Sequence, residues 1–305
     1  MLIEYVLAQA LNGLQFGIML FLLAAGLTLI FGIMGLINLA HGSFYMIGAY
    51  VAATVQAHTG SFAIALLAGV GVAVVLGIAV ETSVIRPLYR RDHLHQVLVT
   101  FGLILFFNEA VRITWGGVSP SLSPPALLAG HVNILPGVPY PAYRLAITVV
   151  GCVTGIFLLL LMTRTRLGML LRAGASDRAM VSALGVNIRW LYSIVFGLGV
   201  MLAALAGAMA GPIIAIEVGM GETIVVQTFI VVVLGGAGSV RGSFVAALAV
   251  GMADALGRAF LPPLLGQFFS PATTSAVAPT VASTVIYILM AAVLLWRPQG
   301  LLARG

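Results

Sequence analysis

Apolar residues run along this chain in long blocks, interrupted by charge, glycine or proline rather than alternating with polar positions. A block of roughly 20 such residues matches the hydrocarbon thickness of a bilayer. Read on that basis, the pattern predicts helices over 11–34, 38–57, 62–85, 95–115, 143–163, 191–215, 223–234, 243–260 and 280–296. Seven of these nine are long enough to span unaided. The blocks that begin at Asn38 and Thr223 have polar or glycine-rich ends and are expected to be broken or re-entrant, which gives eight to ten crossings. The expected fold class is all-α, a polytopic transmembrane helix bundle forming a single domain over 1–305.

Composition sharpens this picture. Of 305 residues 61% are hydrophobic and 7% charged, against roughly 25% charged in soluble domains. No charged residue lies between Glu4 and Glu81, a neutral stretch long enough for about three spans. The residues around Glu4 lack a basic n-region and the first apolar run exceeds a signal h-region, so the first span is expected to be retained. Cys152 is the single cysteine, which excludes an intrachain disulfide and a cysteine metal cluster.

The net charge of +6 rests on arginine alone, since the chain has no lysine. Its distribution is topological rather than a nucleic-acid footprint. With the amino terminus outside, Arg86, Arg90, Arg91, Arg164, Arg166, Arg172, Arg178, Arg189, Arg241, Arg297 and Arg304 fall in cytoplasmic loops, and only Arg112, Arg144 and Arg258 fall outside. The carboxyl terminus is then cytoplasmic, and the cell inner membrane is the expected location. The segment 116–142, rich in Pro, Ser and Gly, reads as an ordered, non-helical external loop, either a plain connector or a surface for a partner.

Few residues invite chemistry. The acids are expected to avoid the membrane centre: Glu109 with Arg112 and Asp254 with Arg258 sit three and four apart near helix ends, as compensated pairs. Glu217 and Glu222 flank Gly219 and Gly221 in a predicted external turn and are expected to be hydrated. His41 lies in the polar island 38–42 with no second ligand nearby; hydrogen bonding beside a tightly packed Gly42 suits it better than metal binding. Gly235, Gly236, Gly238 and Gly242 form a run that lacks the Gly-Lys-Ser/Thr ending of a phosphate loop, and they are expected to let two helices approach closely. No cofactor is called for, and an integral-membrane enzyme would need a cluster of reactive side chains that the sequence does not offer.

The longest basic segment, 164–190, holds a predicted two-turn helix with Ser176 as N-cap, Asp177 at its positive end and a left-handed Gly185 at its close. Ala179, Met180, Ala183 and Leu184 would share an apolar face, to be buried by lipid headgroups, by the protein's own helix ends or by a soluble partner.

The run Asn38-Leu39-Ala40-His41-Gly42-Ser43-Phe44-Tyr45-Met46-Ile47-Gly48-Ala49-Tyr50 resembles the first signature of the branched-chain amino-acid ABC permease family. Residues 164–168, Arg172, Ala173, Asp177 and 184–187 are similar to its coupling segment, and 235–242 resembles its third landmark. The match looks closer to the shorter permease, which carries Asn-x-Ala-His-Gly, than to its longer companion. Met180 departs from the smaller residue usual at its place. The resemblance implies an importer subunit without its own ATPase, in a heterodimer with a companion permease, two cytoplasmic ATP-binding subunits and a periplasmic solute-binding protein. It implies alternating access, coupling through Arg172, Ala173, Asp177, Ala179, Met180, Leu184 and Gly185, and a solute of the branched-chain or other neutral amino-acid type, with urea-like and aromatic acid solutes as alternatives. A pathway through Asn38, His41 and Gly42 is expected from their polarity. The rival is a stand-alone transporter or channel, which would work without an ATPase. HGSF at His41 and RGSF at Arg241 echo each other without establishing a duplication.

Overall fold

A computed structural model describes residues 2–135 and 138–302; the side chains of Arg90, Arg178 and Ala179, and all of Arg304, lie outside what it describes. Its helices are α1 (Leu2–Met34), α2 (His41–Thr59), α3 (Phe62–Val80), α4 (His93–Trp115), α5 (Ala142–Arg164), α6 (Arg166–Ser176), α7 (Arg178–Ala183), α8 (Ile188–Ala210), α9 (Met220–Gly235), α10 (Val240–Leu265) and α11 (Pro271–Trp296). Seven of them, α3 with its extension to Tyr89, are long and apolar enough to cross a membrane. They are the seven blocks expected to span unaided.

α1 begins well before residue 11. Gln9, Asn12 and Gln15 recur at three-residue spacing, so they share a helix face instead of ending it, and Asn12 donates to Gln9 Oε1 at 3.1 Å. α1 and α8 are the buried axis of the bundle, and glycines set their approach. A Cβ at Gly26 would come within 2.7 Å of the Gly199 carbonyl oxygen, and one at Gly17 within 2.8 Å of that of Ala247 on α10.

The two halves of the chain repeat one arrangement with opposite sense. α10 packs on α1 as α3 packs on α8, and α9 on α1 as α2 on α8; α4 and α11 lie against α2 and α9. α1 runs from the face that carries 116–142 to the face rich in arginine. There Gly35 turns the chain at φ 64°, and residues 36–40 double back into the bundle as coil. His41 then bonds through Nε2 to Leu23 O, 3.2 Å away. Leu23 stands eleven residues above Met34, about 16 Å at the helical rise, so α2 starts near mid-membrane. α8 rises the other way, residues 211–219 turn back inward, and α9 descends to the arginine-rich face.

Backbone that is neither helical nor hydrated must find partners inside the protein. Gln96, in the first turns of α4, accepts from Ile37 N at 3.3 Å while its own amide reaches Leu88 O and Arg91 O. On the same face α3 passes through a wider turn, Glu81–Ile85, and a tighter one, Arg86–Arg90. Buried Glu81 there accepts from Arg86 (3.0 Å), Tyr89 (2.5 Å) and Ser193 (2.7 Å), tying α3 to α8.

The 116–142 segment, expected to be ordered and non-helical, carries a β-hairpin and one short 3-10 turn, Ala126–Leu128. β1 (His131–Leu135) pairs antiparallel with β2 (Val138–Pro141), with a register break between Asn133 and Leu135. The hairpin is tied to the bundle where Tyr140 donates to Asn12 Oδ1 at 3.2 Å, while Ser123 exchanges two bonds of 2.8 Å with Gln56 at the end of α2.

Candidate functional site

The polar island and the residues that begin α9 meet at the centre of the bundle. Gly42, in the first turn of α2, and Gly221, in the first turn of α9, are pressed backbone to backbone; a Cβ on either would overlap the carbonyl group of the other. Two half-helices therefore meet amino end to amino end at mid-membrane, each bringing the positive end of its dipole. The sequence suggested that acids avoid this depth, and Glu222 corrects that expectation. It sits in the first turn of α9 beside Gly221, where it offsets the helix dipole and accepts a hydrogen bond from Asn108 of α4. Gly219 and Gly221, flanked by Glu217 and Glu222, made the segment read as an external turn.

Asn38, His41 and Gly42 come together here and are fully enclosed. His41 spends Nε2 on Leu23 O, while Nδ1 and both amide atoms of Asn38 have no hydrogen-bond partner among the described residues. Unpaired buried polar atoms cost about 1–3 kcal/mol each.

Above this junction a cavity of about 540 Å³ opens to the hairpin face, between α1, α9, α10 and the 211–219 connection. Tyr45 belongs to its lining, and the phenol, with the residue 1% exposed, has no hydrogen-bond partner among the described residues. Arg144, Glu217, Asp254 and Arg258 bring both signs of charge. The Asp254–Arg258 pair forms as expected, at 2.9 Å, and so does Glu109–Arg112, at 3.0 Å. Sequence reasoning missed this cavity, although the spacing of Gln9, Asn12 and Gln15 pointed to a polar face on α1.

Gly235 and Gly242 abut across the α9–α10 turn, Gly236 and Gly238 take positive φ (92° and 83°), and Gly32 of α1 lies against Gly238. HGSF and RGSF thus flank α9, one glycine at each of its ends.

The 164–190 segment folds as two helices where one was expected. Thr165 caps α6 by accepting from Gly168 N, and Asp177, not Ser176, caps α7 by accepting from Met180 N at 2.9 Å. The carboxylate outcompetes the hydroxyl because Ser176 still belongs to the last turn of α6, its successor's N–H bonding Ala173 O at 2.9 Å. Gly185 is left-handed at φ 85°, as expected. Met180 and Leu184 are 60% and 75% exposed, and Arg172 lines a second cavity of about 530 Å³ with Arg241 and Thr28.

A family profile described as "Branched-chain amino acid transport system / permease component" matches residues 9–294. The chain belongs to this family. It is 31% identical to the high-affinity branched-chain amino acid transport system permease protein BraD of Pseudomonas aeruginosa, over 99% of this chain and 97% of that one. It is 29% identical to the permease protein LivH of Escherichia coli K12, over 98% and 96%. A probable LivH of Methanocaldococcus jannaschii matches at 23% identity over 93% and 88%. No solved structure matches the chain. As a family member with seven helices of spanning length, the protein is a multi-pass membrane permease component of a transport system.

Proposed function

We propose that the chain is the membrane-spanning subunit of an ATP-driven importer that carries branched-chain or other neutral amino acids inward. The observation that carries this reading is the family match over 9–294, which takes in both half-helices and the whole 164–190 segment. The permease pairs with a companion permease, receives solute from a soluble binding protein at the hairpin face and couples to two ATP-binding subunits at the arginine-rich face. That face is cytoplasmic in the inner membrane, because arginines retain loops inside; the amino terminus is then outside.

Exposed Met180 and Leu184 on an otherwise cationic segment support docking of an ATPase on α7, with Arg172, Ala173, Asp177, Ala179 and Gly185 fixing its placement. Movement there separates the two half-helices, and Asn38, His41 and Gly42 then line the opened path. In this scheme their unpaired polar atoms become hydrated during transport.

The test is ATP hydrolysis and uptake by the four-component importer in proteoliposomes, with binding protein loaded with leucine. Stimulated hydrolysis with uptake is expected, and Gly185→Trp or Asp177→Arg should leave hydrolysis while abolishing uptake. Leucine uptake that persists without any ATPase subunit would refute the assignment, and unchanged uptake in both variants would refute the docking site.

A further inference from the structure

The cavity beneath the hairpin has a chemistry more specific than a passage needs. Its volume of about 540 Å³ falls in the range of small-molecule sites. Charged groups of both signs, Arg144, Glu217, Asp254 and Arg258, stand around it. Arg258 uses Nε on both Asp254 oxygens, at 2.9 Å each, which leaves its two terminal nitrogens free to form a fork. Glu217 lines the cavity, and its carboxylate has no hydrogen bond or ion pair to any described residue. At the deep end the Tyr45 hydroxyl is enclosed and without a partner, and the walls between carry Phe16, Met19 and Ile224.

A lone anion would meet Glu217 and Asp254, a lone cation would meet two arginines, and a neutral amide would leave both signs unanswered. A molecule that carries a carboxylate and an ammonium on one carbon, with an apolar substituent, satisfies all three features. We infer that this cavity is a recognition site for a zwitterionic amino acid. Arg258 takes the carboxylate, Glu217 takes the ammonium, and the side chain lies on Phe16, Met19 and Ile224 with the Tyr45 hydroxyl at the floor. The site lies above the Gly42–Gly221 contact, so solute is held by the permease before the half-helices part. This inference rests on the importer reading given above, and it adds a second selection step beyond the binding protein.

The experiment is equilibrium dialysis of radiolabelled L-leucine against the purified permease and ATPase assembly without binding protein, alongside uptake by the complete system. Saturable binding is expected, with L-leucinamide, 3-methylbutylamine and 4-methylpentanoate competing at least tenfold more weakly, since each lacks one charge. Glu217→Gln should weaken binding at least tenfold and Tyr45→Phe several-fold. Glu109→Gln, which alters an exposed pair outside the cavity, should leave it unchanged. Leucine uptake by the wild-type system without binding to the assembly overturns the site and leaves the importer intact. Equal affinity in Glu217→Gln and wild type does the same. No uptake of leucine, isoleucine, valine or any other neutral amino acid by the wild-type system overturns the importer reading and this inference with it.

Discussion

Replacing Gly221 by alanine tests the packing at the centre of the bundle. The added methyl would fall inside the van der Waals envelope of the Gly42 carbonyl carbon and oxygen and reach Ser43 N at 3.1 Å. All three are backbone atoms, so no side chain can swing aside and the two half-helices must separate. Overpacking of one methyl costs about 1–3 kcal/mol, and rigid backbone neighbours place this case at the upper end. Alanine recovers about 0.5–1 kcal/mol of helix propensity, leaving a net loss of about 2 kcal/mol. Gly102→Ala in α4 supplies the control, because its Cβ would meet nothing within 4 Å and only the propensity gain remains. Gly42→Ala should cost a similar amount. The double variant should cost less than the sum, since one separation relieves both overlaps. Unfolding of the purified chain by SDS in mixed micelles, followed by loss of helical circular dichroism, gives the four free energies. If Gly221→Ala proves as stable as Gly102→Ala, or if the two junction variants add, the half-helices do not meet as described.

Gln96→Leu should remove the acceptor from Ile37 N inside the bundle, costing about 1–3 kcal/mol in the same titration and exposing the 36–40 coil to faster proteolysis. Glu81→Ala, which strips the acceptor from Arg86, Tyr89 and Ser193, should cost about 3 kcal/mol and lower the thermal midpoint. Glu81→Gln, which keeps an acceptor for the hydroxyls, should lose less. At the start of α4 the ring and backbone N–H of His95 hold the Asp92 carboxyl below the ordinary carboxylate range. A depressed folded value means that the stabilisation is complete above the unfolded value, about pH 4, and fades as pH falls through the folded one. Hydrogen exchange in the first turn of α4 should therefore quicken on acidification relative to Asp92→Asn, and parallel behaviour of the two proteins would count against the cap.

The long spans were legible because a bilayer imposes one coarse rule, and 62–85 or 280–296 satisfies it without help from the rest of the chain. The breaks were legible too, since Asn38 and the glycines near Thr223 are poor material for an uninterrupted span. What the pattern could not convey was that the two breaks touch. Gly42 and Gly221 are far apart in sequence, and nothing local to either fixes the depth at which its half-helix begins. The misplacement of Glu222 follows from that, because two glycines flanked by carboxylates read as an external turn until the helix is known to start inside. The cavity stayed hidden for a related reason: Arg144, Glu217 and Arg258 come from three separate segments, and each alone has an ordinary interfacial explanation. Local competition misled at Ser176, where a good capping residue was already committed to the preceding helix.

The end of α9 is closed by residues far downstream: Leu301 N donates to Leu234 O at 2.7 Å, and Gly300, at φ 89°, lies against Gly236. During synthesis this half-helix must therefore wait for a segment about 67 residues later, which at 5–20 residues per second is about 3–13 s. For that interval its last carbonyls lack their final partner. A ribosome stalled between residues 240 and 300 would leave in the membrane a bundle with its central junction assembled and one anchor loose, a natural substrate for membrane quality control. A rigid fusion placed directly after Leu301 would hold the protein in a similar condition.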